Sequence, residues 1–290
     1  MGKPKIGFIK RFLTFVLNIG ADPADSEYSR LLELEKEKSE RLLRRIESDL
    51  AQAAEIQRRL LPTGNPRFEG FDISGANVSC YEVGGDYYDF VPIDENRLGV
   101  VIADVSGKGM SAALLMASLR AALLAEVQPG FDLAAMAGRL NAFVHRSTDS
   151  KSFITFFFGE LDRRSGELRY INAGHNPPFI VRGSGVIEAL GVSGFPLGMF
   201  ASVSYEPGSG GLEAGDVAVL FTDGIPEARN GEGQDYTEER FRTLVADRRD
   251  LGAAGLCRTV LEDLRAYAAA GQPCDDITLV VIKKQPGRSL

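Results

Sequence analysis

Acidic residues stand at the ends of several apolar runs of this 290-residue chain. Asp104 follows the run GVVIA, and Asp223 follows VAVLFT, whereas Asp275 and Asp276 come directly before ITLVVIKK. Because the start of an antiparallel strand lies beside the end of its neighbour, we expect these acids to gather at one edge of a sheet.

Two more acids follow a pair of glycines in VGGDYYDF, at Asp86 and Asp89. Gly84 and Gly85 would let the backbone come close to whatever the acids hold. Clustered carboxylates repel one another unless cations lie among them, and oxygen ligands of this kind suit Mg²⁺ or Mn²⁺. One aspartate at a strand end is commonly a turn residue, but several beside glycines favour a two-metal site that hydrolyses phosphoesters.

The stretch IADVSGKGMSAALL, residues 102–115, has the outline of a nucleotide-binding loop between a strand and a helix. A P-loop needs glycine where Ile102 stands and Ser or Thr where Gly109 follows Lys108, so the motif is absent. We interpret the turn as a support for Asp104, and Lys108 as its least important residue.

Charge and composition exclude several other classes of protein. The net charge is −7, and residues 1–20 carry +4, so the remainder carries −11. Such an acidic body is a poor match for nucleic acid. Three cysteines without paired spacing and two histidines make a disulfide framework or a zinc site improbable and favour a reducing cytoplasm.

The N-terminal segment 1–20 is predicted to contain an amphipathic helix. Its run IGFIKRFLTFVLNI, residues 6–19, is too short for a membrane span and has a polar stripe beside a broad apolar face. This segment has three interpretations: a docking or membrane-surface helix, a signal peptide, or a helix packed on its own domain. The absence of a cleavage site weighs against the signal peptide.

Residues 26–61 are predicted to form one long helix, because they contain no Gly or Pro and are rich in charge. Apolar residues recur in it every three or four positions and give a narrow seam, which favours a dimerising coiled coil over a solvated helix along its own domain. We hypothesise that this linker helix and the segment before it regulate the site.

Residues 65–290 alternate between short β-rich runs and helical blocks, which indicates an α+β domain. Predicted strands include FDISGANVSC, YYDFVPI, RLGVVIAD, FITFFFGELD, ELRYINA, PFIVRG, VIEAL, DVAVLFTD and DITLVVIKK, and predicted helices lie near 109–127, 131–148, 237–247 and 253–270. RRSG is predicted to be a hairpin turn.

These segments, in this order, resemble the metal-dependent protein serine/threonine phosphatases, the PPM family, and most closely its bacterial SpoIIE-like and RsbU-like branch. The resemblance covers nearly everything beyond residue 53. It is carried by AAEIQRRLLP, VGGDYYDF, ADVSGKGMSAALLM, FFFGELD, INAGHNPP, GFPLGM, FTDGIPEARN and DDITLVVI.

The resemblance implies two packed antiparallel β-sheets flanked by helices, an α-β-β-α sandwich preceded by the long N-terminal helix. It also implies two or three Mn²⁺ or Mg²⁺ ions, and direct attack of a metal-bound water on phosphorus. Carried over by motif, Asp104 bridges the ions and the Val105 carbonyl joins one of them, while Asp223 and Asp275 complete the other.

For the remaining motif residues the resemblance implies supporting roles. Asp86 holds metal-bound water or enters the first shell, and Asp89 and Asp276 are outer-shell residues. His175 is either a general acid or a buried structural histidine, and its place in an Asn-Gly-His turn favours the structural role. The segment GFPLG either borders the substrate cleft or forms an ordinary turn. The phosphate-binding arginine of the eukaryotic enzymes has no counterpart in VSCYEVGGD.

The implied function is a cytoplasmic protein phosphatase, peripheral to the membrane if residues 6–19 dock there. Its substrate would be a phosphorylated anti-sigma-factor antagonist in a partner-switching pathway, and residues 26–61 would make it a homodimer. The alternatives are a non-catalytic phosphatase-like binding module and a two-metal phosphoesterase acting on a small substrate.

Overall fold

The computed structural model describes residues 26–148, 152–268 and 275–286. The predicted amphipathic helix within residues 1–20 lies outside these ranges. Five helices are found within them: α1 (Ser26–Leu60), α2 (Met110–Glu126), α3 (Leu133–Ser147), α4 (Glu238–Asp247) and α5 (Ala253–Tyr267). Their bounds agree with the predicted helices to within a few residues.

Ten strands accompany the helices in the described ranges. They are β1 (Phe71–Val78), β2 (Tyr87–Pro92), β3 (Arg97–Val105), β4 (Ile154–Asp162), β5 (Glu167–Ala173), β6 (Phe179–Val181), β7 (Ile187–Ala189), β8 (Gly208–Gly211), β9 (Val217–Phe221) and β10 (Ile277–Lys284). The strand β8 was not predicted, because its sequence GSGG lacks the β-branched and aromatic residues that mark strands.

The strands form two antiparallel five-stranded sheets with the orders β1-β10-β9-β6-β7 and β2-β3-β4-β5-β8. Alternation along each strand sends one set of side chains between the sheets and the other toward helices. One apolar layer, including Ile102, Phe157 and Leu220, fills the space between the sheets. The helices α2 and α3 cover the second sheet, and α4 and α5 cover the first. The predicted α-β-β-α sandwich is confirmed.

The chain separates into two compact units, Met1–Ala53 and Ala54–Leu290. In the first unit, α1 exposes the large apolar side chains Leu34, Leu42 and Ile46. Ion pairs between residues four apart, such as Arg41 with Glu37, line the same helix and give it only modest support. None of the helices in the described ranges is both long enough and apolar enough to cross a membrane.

The acids predicted to share one sheet edge come from both sheets, which corrects that expectation. Asp104 lies near the end of β3 in the second sheet, whereas Asp223 follows β9 and Asp275 precedes β10 in the first. The antiparallel pairing of β9 with β10, in register Phe221 to Leu279, does bring the last two together as expected. The acids therefore meet at an edge of the sandwich, where strand ends of the two sheets approach each other.

Candidate metal centre

Asp86 is the most deeply buried acid of the group, with 4% of its surface exposed. Two threonine hydroxyls hold it in place: Thr222 Oγ1 and Thr278 Oγ1 donate to Asp86 Oδ2 at 2.8 Å and 2.6 Å. Burial and the neighbouring charge of Asp104 raise the pKa of Asp86 despite these hydrogen bonds. Ionised Asp86 is therefore costly unless a cation lies beside it.

Asp104 lies opposite Thr155 of β4, one residue before β3 ends at Val105. Burial, followed by the charges of Asp223, Asp275 and Asp276, raises the pKa of Asp104 to about 7. The acids that raise this pKa stand at the ends of β9 and β10 in the other sheet, so Asp104 lies where acids of the two sheets meet.

Asp223 is held close to the start of β10 by the glycine that follows it. A Cβ at Gly224 would lie 1.9 Å from the Asp276 carbonyl oxygen, so only glycine allows this approach. Burial, Glu227 and Asp275 raise the pKa of Asp223, while the Gly224 N–H and Lys108 oppose the shift. Glu227 is an acid near the site that the motifs did not single out.

Asp276 organises the loop that carries Asp86. Its two carboxylate oxygens accept hydrogen bonds from the backbone N–H groups of Cys80 and Gly85, each at 2.8 Å. A Cβ at Gly84 would lie 2.4 Å from Asp276 Oδ2, which explains the glycine at that position. These contacts suit the outer-shell role that was predicted for Asp276.

The backbone around Val105 lies beside the same loop. A Cβ at Gly85 would lie 3.0 Å from the Val105 carbonyl oxygen, so the glycine pair lets the loop pack closely against the end of β3. The predicted carbonyl ligand is thereby placed next to the chain that leads into Asp86.

Asp275 forms an ion pair with the lysine of the glycine turn. Lys108 Nζ lies 2.7 Å from Asp275 Oδ2, and their side chains are 43% and 39% exposed. Partial burial lowers the pKa of Lys108, but the Asp275 carboxylate outweighs it and raises the pKa overall. No spacing rule predicts this contact, because the two residues are 167 positions apart.

The donors fit Mg²⁺ or Mn²⁺ in kind, since carboxylate and carbonyl oxygens are the ligands that these ions prefer. The raised pKa values of Asp86, Asp104 and Asp223 are those of a cluster that needs positive charge. Within the described ranges, no three His, Cys, Asp or Glu side chains are arranged as a closed metal-binding set. The ion pair with Lys108 and the threonine hydroxyls on Asp86 supply some of the interactions that cations would.

Asp89 is not brought into the cluster, which departs from the outer-shell position predicted for it. Its Oδ2 accepts hydrogen bonds from Tyr87 Oη at 2.8 Å and Arg120 Nε at 3.2 Å. The reason is strand alternation: within β2, Asp89 and Tyr87 share the face that packs toward α2, whereas Asp86 precedes the strand.

His175 is a buried structural residue in this arrangement. Thr155 Oγ1 lies 2.9 Å from His175 Nδ1, and the Phe221 carbonyl lies 3.1 Å from Nε2, which donates to it in the neutral tautomer. Burial lowers the pKa of His175 to about 4. Both ring nitrogens thus have hydrogen-bond partners within the fold. This favours a structural role for His175 over the role of a general acid.

Gln57 is a contact to the metal loop that the motifs did not reveal. Its side-chain amide donates to the Gly84 carbonyl at 2.7 Å and accepts from the Gly84 N–H at 3.0 Å. Gln57 belongs to the last turns of α1, in the Ala54–Leu290 unit, and Gly84 is two residues before Asp86. The end of the long helix is therefore joined directly to the loop of a candidate ligand.

The chain is similar to known proteins over most of its length. The family model for Stage II sporulation protein E (SpoIIE) matches residues 94–285. Phosphoserine phosphatase RsbU of Bacillus subtilis is 31% identical over 242 residues, covering 83% of this chain and 71% of the relative.

Solved structures show the same fold. The RsbU and RsbW domains of Rv1364c from Mycobacterium tuberculosis match with a TM-score of 0.66 and 29% identity, covering 78% of this chain and 63% of that one. The PP2C phosphatase domain of SpoIIE from Bacillus subtilis matches with a TM-score of 0.64 and 21% identity, covering 76% of this chain and 64% of that one, and supports the fold alone.

The sandwich of two antiparallel sheets and the match to phosphoserine phosphatase RsbU define the class of metal-dependent protein serine/threonine phosphatases. Within that class, the match over residues 94–285 shows that the chain belongs to the SpoIIE family.

The raised pKa of Asp104 predicts how stability depends on pH when divalent cations are chelated. The folded protein binds this proton more tightly than the unfolded chain, whose pKa is near 3.8. The stabilisation is complete below about pH 4 and is lost as the pH rises through about 7. We expect the free energy of unfolding in EDTA to fall by on the order of 1–3 kcal/mol between about pH 5 and pH 8.

Urea titrations at several pH values check this expectation, and Mg²⁺ should reverse most of the loss. The fall should be smaller in Asp104→Asn, which cannot ionise. If the urea midpoint of the wild type in EDTA does not change with pH, the carboxylate cluster does not destabilise the fold when it ionises, and the prediction is wrong.

The Gln57 contact generates a second prediction. Gln57→Ala removes both hydrogen bonds to Gly84 and should destabilise the fold by about 1–2 kcal/mol. Because the loop of Asp86 loses a support, Mn²⁺ affinity should also fall several-fold. Urea denaturation and Mn²⁺ titration measure the two effects. Gln52→Ala, on the same helix, is the matched control. Equal Mn²⁺ affinities in the two variants would contradict the proposed link between Gln57 and the metal loop.

Proposed function

We propose that this protein removes phosphate from phosphoserine or phosphothreonine of a partner protein. It is a metal-dependent protein serine/threonine phosphatase of the SpoIIE family. The observation that carries the proposal is the meeting of Asp86, Asp104, Asp223 and Asp275 at one edge of the sandwich, with electrostatic coupling between both sheets. Every acid of the family pattern is present, which argues against the non-catalytic binding module.

The residues that would hold two Mn²⁺ or Mg²⁺ ions in the proposed site are Asp104, the Val105 carbonyl, Asp223 and Asp275, with the buried Asp86 beside them. When bound, such ions activate water and neutralise charge on the phosphoryl oxygens. The protein's own contribution is to fix the carboxylates in position, through the hydroxyl and backbone donors around Asp86 and Asp276.

We propose an anti-sigma-factor antagonist as the partner, in a partner-switching pathway. A protein substrate is supported by the exposed apolar residues of GFPLGMF, the segment 194–200. Leu197 in this segment pairs with Ile154 at the start of β4, adjacent to Thr155, which lies opposite Asp104. Phe195 and Phe200 are 57% and 48% exposed, with ring centroids 5.0 Å apart. Exposed aromatic residues beside the site suit a protein surface better than a small phosphoester.

Asp223→Asn tests the proposed reaction. Asn keeps the size of the side chain and removes the charge that a cation needs, so we expect the rate of phosphoserine-protein hydrolysis to fall by at least about 100-fold in Mn²⁺. Release of phosphate from a phosphorylated partner protein is the measurement, and Asp250→Asn is a control that removes one exposed charge. Equal rates for the wild type and Asp223→Asn would refute the proposed site.

We further propose the organisation of residues 1–20, 26–61 and 65–290 as an amphipathic segment, a linker helix and a phosphatase domain. The linker helix would form a homodimer, because the apolar side chains of its seam are exposed in the single chain: Leu34 55%, Leu42 59% and Ile46 43%. A narrow apolar seam of this kind is buried when two such helices pair. Docking through residues 6–19 and a cytoplasmic location stay predictions.

The dimer is tested by placing a charge in the seam. Leu42→Asp should weaken self-association by at least about 100-fold, because two carboxylates would have to be buried side by side. Analytical ultracentrifugation over a range of concentrations gives the dissociation constant. Glu47→Gln, at an exposed charged position of the same helix, should leave it unchanged. A wild-type chain that sediments as a monomer throughout would rule out the proposal.

A further inference from the structure

We infer that Lys108 binds the phosphoryl group of the substrate, from its position on an acid of the carboxylate cluster. Its ammonium group would hold a non-bridging phosphoryl oxygen when cations occupy the carboxylates. The inference rests on the proposed function, since it concerns how that same site receives a phosphate ester.

The position of Lys108 is the first support. Its Nζ lies 2.7 Å from Asp275 Oδ2, and its charge also acts on Asp223. The lysine and Asp275 side chains are 43% and 39% exposed, whereas Asp86 is 4% exposed on the opposite, buried side of the cluster. A substrate must approach from solvent, so it meets the ammonium group at the open side of the site.

The charge balance is the second support. If Asp275 and Asp223 hold a divalent cation, their negative charge is taken up and no longer attracts Lys108. Bound cations would also leave positive charge at the site, which attracts an anion. A phosphate monoester, with two negative charges, is the anion that the reaction brings to this position. An ammonium hydrogen bond to a phosphoryl oxygen is of the strong, charge-assisted kind.

The turn that carries Lys108 allows such a shift. Gly107 and Gly109, on either side of it, have φ values of +96° and +77°, and a Cβ added at either would meet no atom within 4 Å. Lysine has a long flexible stem with a compact charge at its end. The ammonium group can therefore leave Asp275 for a phosphoryl oxygen without moving Asp104 at the end of β3.

Arginine near the first acid does not provide this function. The segment VSCYEVGGD, residues 78–86, contains none, and Arg120 of α2 is engaged with Asp89 at 3.2 Å. Asp89 itself faces away from the cluster and toward α2, so its arginine serves the fold. Lys108 is a basic group that the structure does place on an acid of the cluster.

Three variants test the inference. Lys108→Gln removes the charge, Lys108→Arg keeps it, and Arg258→Gln removes one positive charge from the exposed face of α5 as a matched control. Binding of inorganic phosphate in saturating Mg²⁺, measured by calorimetry, should weaken about 10- to 100-fold in Lys108→Gln. Lys108→Arg should recover most of the affinity, and Arg258→Gln should match the wild type.

Kinetics and cation binding separate this role from a structural one. For a phosphoserine protein, KM should rise in Lys108→Gln by more than kcat falls. Mg²⁺ binding without phosphate should be unchanged or tighter, because the ammonium group no longer competes for Asp275. Unchanged phosphate affinity in Lys108→Gln would overturn the inference. Lys108-dependent phosphate binding in a protein that hydrolyses no phosphoserine would uphold it, while the proposed function would fail.

Discussion

Repulsion between carboxylates is the constraint around which this fold is arranged. Burial and the charge of Asp104 make Asp86 costly to ionise, and burial with the charges of Asp223 and Asp275 from the other sheet does the same for Asp104. A domain of this size is stable by only about 5–15 kcal/mol, so a cluster of this kind is a substantial burden. It is tolerated because the two β-sheets and their apolar layers fix the strand ends that carry it, and because cations can remove the repulsion.

The residues around the acids limit that cost without abolishing it. Thr222 and Thr278 donate to Asp86, and Asp276 takes two backbone N–H groups that would otherwise be unpaired. The two threonine donors favour ionised Asp86, yet its pKa stays raised because burial outweighs them. The carboxylates are therefore held in position, but their negative charge is not neutralised by the protein. That combination is what a centre needs if it is to bind divalent ions and then an anionic substrate.

Much of this arrangement was predictable from the sequence, because its signals are local. Apolar alternation located nine of the ten strands in the described ranges, and the antiparallel pairing of β9 with β10, assumed from the pattern, is found in the structure. The assignment of strands to sheets was not predictable, because the alternation of apolar residues shows which face of a strand is buried but not which strand pairs with it. Hence the acids were expected at the edge of one sheet, and they meet between two.

Side-chain partners that are distant in sequence were the other gap. Gln57 and Gly84, Asp89 and Arg120, and Lys108 and Asp275 are pairs that no spacing rule connects. Asp89 is the clearest example. Because it stands three residues after Asp86 in a motif, an outer-shell role is predicted for it, but the alternation of side chains along β2 directs it to Arg120.

The glycine turn after Asp104 shows how a correct exclusion can hide a function. Residues 106–109 lack the pattern of a phosphate-binding loop, and in such a loop the backbone N–H groups and a hydroxyl would do the binding. Failure of that pattern removes one mechanism of phosphate recognition, but it does not remove the charge of Lys108. What the lysine does depends on the acid it faces, and that acid enters from β10 at the far end of the chain. The same ammonium group that reduces repulsion in the cluster is thereby placed where a phosphoryl group must arrive, so its two roles follow from one position.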